Sequence, residues 1–161
     1  MRPEIEKVIS DEALLVGIDP RLALAFAEVE SAGDPLAVRY EAHWKYYFDV
    51  PQFAYRLRIT QETERNLQSL SWGLMQVMGS VARELGFVES LITLSDPHLG
   101  AKYGCMKLKQ CMRKYPIFED AIASYNAGSP RKLDGHYVNQ GYVDKIKLTY
   151  KRICRGAIAQ S

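Results

Sequence analysis

Asp19-Pro20-Arg21-Leu22-Ala23-Leu24-Ala25-Phe26-Ala27-Glu28-Val29-Glu30-Ser31-Ala32-Gly33-Asp34-Pro35 reads as one helix with its start and stop signals. Asp19 suits the N-cap and Pro20 the first helical position, where a missing N–H is no loss. At about 100° per residue, Leu22, Ala25, Phe26 and Val29 form an apolar stripe that Gly33-Asp34-Pro35 terminates. Glu30 lies one turn beyond Phe26, on the border of that stripe. A carboxyl drawn partly out of water has its charged form penalised, so its pKa rises toward the range a general acid needs. Glu28 faces the other way and is the poorer candidate. Taken alone, a glutamate at a stripe edge also fits a solvated boundary residue.

Outward from this segment the periodic signals stay helical. Ile5, Val8, Ile9, Ala13 and Val16 recur at helical spacing up to Gly17, a natural left-handed cap. Ser95-Asp96-Pro97 opens a helix carrying Leu99, Tyr103 and Met106. A fourth runs from Phe118 to Ala127 and is closed by Gly128, and the last from Gly141 to Arg155 with Tyr142, Ile146, Tyr150 and Ile153 on one face. Between Gly33 and Ser71 the pattern fails: a dense aromatic run, His43-Trp44-Lys45-Tyr46-Tyr47-Phe48, precedes Pro51 and a helical piece from Thr60 to Leu70. A long irregular stretch in a compact domain is usually functional. The expected architecture over residues 1–161 is a single, mainly α domain with a small irregular or β-hairpin lobe flanking a cleft.

Composition narrows the class. With 161 residues, 47% hydrophobic and 25% charged, the chain can bury one real core. No stretch approaches the roughly 20 apolar residues that a membrane span needs, and no apolar secretory core follows Met1. Cys105, Cys111 and Cys154 cannot all pair and have no metal-ligand or redox spacing, which points to free or buried thiols. His43, His98 and His136 also lack ligand spacing, so neither metal nor cofactor is expected. Basic residues crowd Leu99–Lys114 and Arg131–Arg155, and a net charge of +2 suits an anionic polymer no better than a set of solvated helix faces. The aromatic residues are not interleaved with basic ones in any single-strand-binding pattern, no nucleic-acid motif is present, and a monomer with neither nucleic-acid nor membrane partner is expected.

Four blocks follow one another in order: Glu30-Ser31-Ala32-Gly33-Asp34-Pro35, Ser71-Trp72-Gly73-Leu74-Met75-Gln76-Val77-Met78, Ala123-Ser124-Tyr125-Asn126-Ala127-Gly128, and Gly141-Tyr142-Val143. From about residue 12 to 153 the chain resembles the soluble lytic transglycosylase (SLT) family of the lysozyme-like superfamily. Four ordered blocks are far more specific than any one of them. The resemblance implies a lysozyme-like fold, peptidoglycan as substrate and Glu30 as the acid that protonates the bond between N-acetylmuramic acid and N-acetylglucosamine. By the same resemblance Ser31 would sit beside it at the cleavage subsites, and Met75 and Gln76 would line the glycan groove. Tyr125 would hydrogen-bond Glu30, Asn126 would hold the substrate, and Tyr142 would close the pocket wall.

The resemblance further implies a one-carboxylate mechanism ending in a 1,6-anhydro sugar, whereas most glycosidases use two carboxylates. The segment between Gly33 and Ser71 is longer than in the simplest members and holds Glu41 and Asp49. If either points into the cleft it could activate water and make a hydrolysing muramidase, while a salt bridge with Arg39 is the plain reading of Glu41. A module that binds cell wall or builds a virion without cutting is the remaining alternative, and the intact Glu30, Gln76, Tyr125 and Asn126 argue against it. Without a visible export signal, a bacteriophage virion component or an endolysin is the expected setting, with a secretion-system accessory as the alternative.

Overall fold

The computed structural model describes residues 1–158. Helix α1 (Pro3–Val16) buries Ile5, Ile9 and Ala13 and stops at Gly17, whose φ of 80° favours a residue without a Cβ. Helix α2 (Pro20–Ser31) begins as expected: the Asp19 carboxylate accepts the Arg21 backbone N–H at 2.9 Å. It ends at Ser31, two residues before Gly33, with Ala32 as the cap in the left-handed region at φ 55°.

The second signature block is not helical. Leu70–Trp72 (β2) and Val77–Met78 (β3) are antiparallel strands joined by the Gly73–Gln76 turn, and β1 (Val38–Tyr40) adds on the other side of β2, with Val38 opposite Trp72 and Tyr40 opposite Leu70. This small sheet is the minor lobe. The span expected to be irregular is partly ordered: helix α3 (Val50–Leu57) and helix α4 (Gln61–Gln68) fill its second half, and the aromatic run is an extended strap without regular structure.

Helix α5 (Gly79–Glu84) and a 3-10 turn (Leu91–Ser95) lead into α6 (Pro97–Lys114), capped by the Asp96 carboxylate on the Leu99 N–H at 3.0 Å. Helix α7 (Phe118–Ala127), a hairpin of β4 (Lys132–Leu133) and β5 (His136–Tyr137), and α8 (Gln140–Ile158) complete the fold. The chain is mainly helical with a small antiparallel sheet, as a lysozyme-like domain should be.

One buried cluster joins α1, α2, α6, α7 and α8, with Ile9, Phe26, Leu108, Ile122 and Ile146 inside it. Leu74 and Met75, at the tip of the β2–β3 turn, are planted in the same cluster, both 0% exposed. Each such side chain contributes about 1.5–3 kcal/mol of burial, so the turn is anchored from its tip. Two glycines let α6 approach it. A Cβ on Gly104 would fall 2.4 Å from the Met75 side chain, and one on Gly100 would fall 2.8 Å from the Leu94 carbonyl. Among the described residues no helix is long and apolar enough to cross a membrane. Cys105, Cys111 and Cys154 are all free.

Candidate active site

Glu30, at the C-terminal end of α2, faces a cavity of about 290 Å³ between the helices and the small sheet. The strand side contributes Arg39, Glu41, Ser71, Gln76 and Met78, and the helical side Lys107, Tyr125 and Asn126, with Trp44 of the strap at the rim. Met78 and Trp44 also line a second cavity of about 540 Å³, which shares Lys107, Tyr125 and Asn126 with the first and runs on toward Gly128 and Ser129. Together the two form a groove.

Burial holds the Glu30 carboxyl above the usual carboxylate range. The Tyr142 hydroxyl, which donates to Glu30 Oε1 at 2.5 Å, opposes this, as do the more distant charges of Lys107 and Arg39. Burial also pushes the Tyr142 hydroxyl far up, so it stays a donor across the working pH range. With Oε1 taken by that donor, Oε2 is the oxygen left to carry the acid proton. The other carboxylate lining the cavity, Glu41, is already paired: Arg39 Nη2 stands 2.7 Å from its Oε1. Glu30 is therefore the acid without a bonded cation.

Residues 7–142 match the transglycosylase SLT domain. The chain belongs to that family. No solved structure matches it. Membership makes the chain a glycan-cleaving enzyme of the lytic transglycosylase type, acting on the peptidoglycan of the cell wall.

Within this transglycosylase, the side chains singled out from sequence take unequal places. Glu30, Gln76, Tyr125 and Asn126 line the cavity together, and Glu41 joins them. Gln76 is a brace. Its Nε2 donates to the carbonyls of Ala37 and Gly73, each at 3.0 Å, and its Oε1 accepts from Ser71 at 2.8 Å, which holds the residue in the left-handed region at φ 46°. Asn126 accepts from Asn139 through Oδ1 at 3.0 Å, and among the described residues its amide nitrogen has no protein acceptor.

Four expectations are corrected. The hydrogen bond to Glu30 comes from Tyr142, not Tyr125. Tyr125 is held edge-on to Phe26, ring centroids 4.7 Å apart, and from there its hydroxyl donates to the Met75 carbonyl at 2.7 Å. Tyr142, in the first turn of α8, is brought to Glu30 because α8 packs along α2, where its Tyr150 also reaches the Asp19 carboxylate at 2.8 Å. Met75 does not line the groove: its side chain is 0% exposed and packs against α6. Ser31 turns from the cavity, donating to the Leu74 carbonyl at 2.8 Å and accepting from the Gly33 N–H, so it ties α2 to the β2–β3 turn. Asp49 is exposed in front of α3 and is absent from the cavity lining, which removes it as a second acid.

Lys107, Trp44 and Ser71 were missed. Trp44 could not be told from its aromatic neighbours in the strap, and its place depends on the Nε1–H bond to Ser80 at 3.0 Å. Lys107 was readable. It lies three residues after Gly104 and four before Cys111, a charge beside an apolar stripe, the same signature that marks Glu30.

Proposed function

We propose that this enzyme cuts the β-1,4 bond between N-acetylmuramic acid and N-acetylglucosamine and leaves 1,6-anhydro-muramic acid ends, with Glu30 as acid and then base. Glu30 Oε2 gives its proton to the glycosidic oxygen as the bond from that oxygen to the muramic anomeric carbon breaks. The muramic acid 6-hydroxyl attacks the same anomeric carbon, and its proton passes to the Glu30 carboxylate, which regenerates the acid. No water enters the balance. An intramolecular hydroxyl needs no second carboxylate to position it. The observation that carries this reading is that the cavity holds one unpaired acid, because Glu41 is engaged by Arg39.

In the same reading Asn126 holds a polar group of the sugar, Tyr142 fixes the acid, and Tyr125 and Gln76 shape the floor by bracing the Gly73–Gln76 turn. Ser31 and Met75 act from behind that floor rather than on the glycan.

A hydrolysing muramidase is the second reading, favoured by one fact: Glu41 lines the same cavity as Glu30. Mass analysis of purified sacculi digested by wild type and by Glu41→Gln separates the two. The anhydro reading expects anhydro ends from both enzymes at a similar share. Reducing ends from wild type, suppressed by orders of magnitude in Glu41→Gln, would overturn it in favour of water activated by a second carboxylate.

A further inference from the structure

The helical wall of the groove carries a cation that the mechanism above leaves idle. Lys107 projects from α6 into the cavity that Glu30 lines, and it also borders the adjoining cavity. Its ammonium sits 3.9 Å from the centroid of the Tyr125 ring. Among the described residues it forms no salt bridge, whereas Arg39, the other cation of the cavity, is held by Glu41. The ring that seats it is itself fixed by Phe26 and by the Met75 carbonyl, so the ammonium has a defined place in a half-buried site.

We propose that Lys107 is the positioning charge for Glu30: it stabilises the carboxylate formed when Glu30 gives up its proton and sets the pH at which the acid is recharged. The need for such a charge follows from the cycle. Each turnover creates an anion in a place poor in water, where a single hydroxyl bond from Tyr142 receives it. A cation that shares a water-poor cavity with a carboxylate favours the charged form of that carboxylate, as the Lys107 charge does for Glu30. The groups facing the pair are few. Tyr142 comes from α8, Tyr125 from α7, and Arg39 with Glu41 from the β1 side, while Glu84 of α5 shares the adjoining cavity with Lys107 and Cys111 lies one turn along α6 from it. Burial pulls the Lys107 pKa down and the Glu30 charge pulls it back up, which is the reciprocal of its effect on Glu30.

This inference rests on Glu30 as the acid, and the test keeps the two apart. The Glu30 carboxyl is titrated by carbon NMR in wild type and in Lys107→Met, with Glu30→Gln identifying the signal, and kcat and KM are followed against pH on purified peptidoglycan. Lys107→Met should raise the Glu30 pKa by about one unit. The alkaline limb of kcat should move up with it, KM should change little, and Lys107→Arg should restore the wild-type titration. If Lys107→Met does not fold, Lys107→Gln is read in the same way. An unshifted Glu30 titration in the folded variant overturns the proposal, and so does a rise in KM without a shift, which would make Lys107 a substrate contact. Full activity of Glu30→Gln would instead reject the acid assignment itself.

Discussion

Glu64 and Glu30 are both acids removed from water, and the molecule treats their charge in opposite ways. Glu64, on α4, is 0% exposed and fully engaged: Arg83 meets it with two nitrogens at 2.9 and 3.2 Å, and Gln68 donates to it at 2.9 Å. Arg83 in turn donates to the carbonyls of Phe87 and Glu89 and lies 4.2 Å from the Phe53 ring centroid. The hydrogen bonds of that cluster tie α4 to α5, to the loop after α5 and to the strap at Phe48. Glu30 is less buried, yet it receives one hydroxyl and no bonded cation. A saturated buried charge is scaffolding. An unsaturated one is held in a state from which a proton can leave and return.

If the contrast is right, removing each carboxylate damages a different property. Glu30→Gln should lower turnover on peptidoglycan by about 10²–10⁴-fold, because the amide fills the same space and cannot exchange the proton. Its folding should not suffer. The folded pKa of Glu30 lies above its unfolded value, so its contribution to stability is full at low pH and is lost as pH rises through the folded value. Thermal melts should therefore show Glu30→Gln gaining on wild type as pH rises from the ordinary carboxyl range, and level with it below. A variant that melts early at every pH would place Glu30 with the scaffolding.

Arg83→Met is the converse experiment. It leaves Glu64 buried without its cation and should cost about 3–5 kcal/mol in urea unfolding, and adding Glu64→Gln should recover part of that. Loss of turnover with unchanged stability would break the comparison from the other side.

Two tyrosines sharpen it on a smaller scale. Tyr125→Phe strands the buried Met75 carbonyl and should cost about 1–3 kcal/mol of stability, with a smaller effect on the turnover of the folded fraction. Tyr142→Phe should cost only about 0.5–1.5 kcal/mol of stability. It removes a bond that holds the Glu30 pKa down, so the alkaline limb of kcat should move to higher pH. Reversal of these two patterns would return the partner of Glu30 to Tyr125.

The sequence could not make that choice between tyrosines. Both lie on apolar faces of their helices, and which hydroxyl meets Glu30 depends on how α7 and α8 sit on α2, a tertiary fact without local periodicity. The helices themselves were legible because their signals are local: Asp19-Pro20, Asp96-Pro97 and Gly128 each act within a turn. The small sheet was not. Strands of two or three residues leave no alternation to count, and Gly73-Leu74-Met75-Gln76 reads as well in a helix as in the turn it forms. Met75 shows the cost of transferring roles along a motif, since the block places it at the groove while burial puts its side chain behind the wall. The place of Glu30 at the cavity was legible because the helix period sets it at the edge of the apolar stripe.

The strap over residues 41–48 invites an engineer's view of the groove. Its ends are moored to backbone and buried side chains: the Glu41 N–H to the Ser69 carbonyl at 2.9 Å, and Phe48 to Gln68 by two bonds of 2.8 Å. Between the moorings Trp44 is pinned to Ser80 outside the strap, while Ala42, His43, Lys45, Tyr46 and Tyr47 are exposed. Gln68 belongs to the Glu64 cluster, so the Phe48 end of the strap inherits the rigidity of that cluster, while the middle bonds mostly to itself, Tyr47 donating to the Trp44 carbonyl at 3.0 Å. The strap is thus a loosely held loop in a fixed frame, and of its exposed residues Tyr46 borders the groove, so a change there alters the wall while Glu30 and its floor stay where they are.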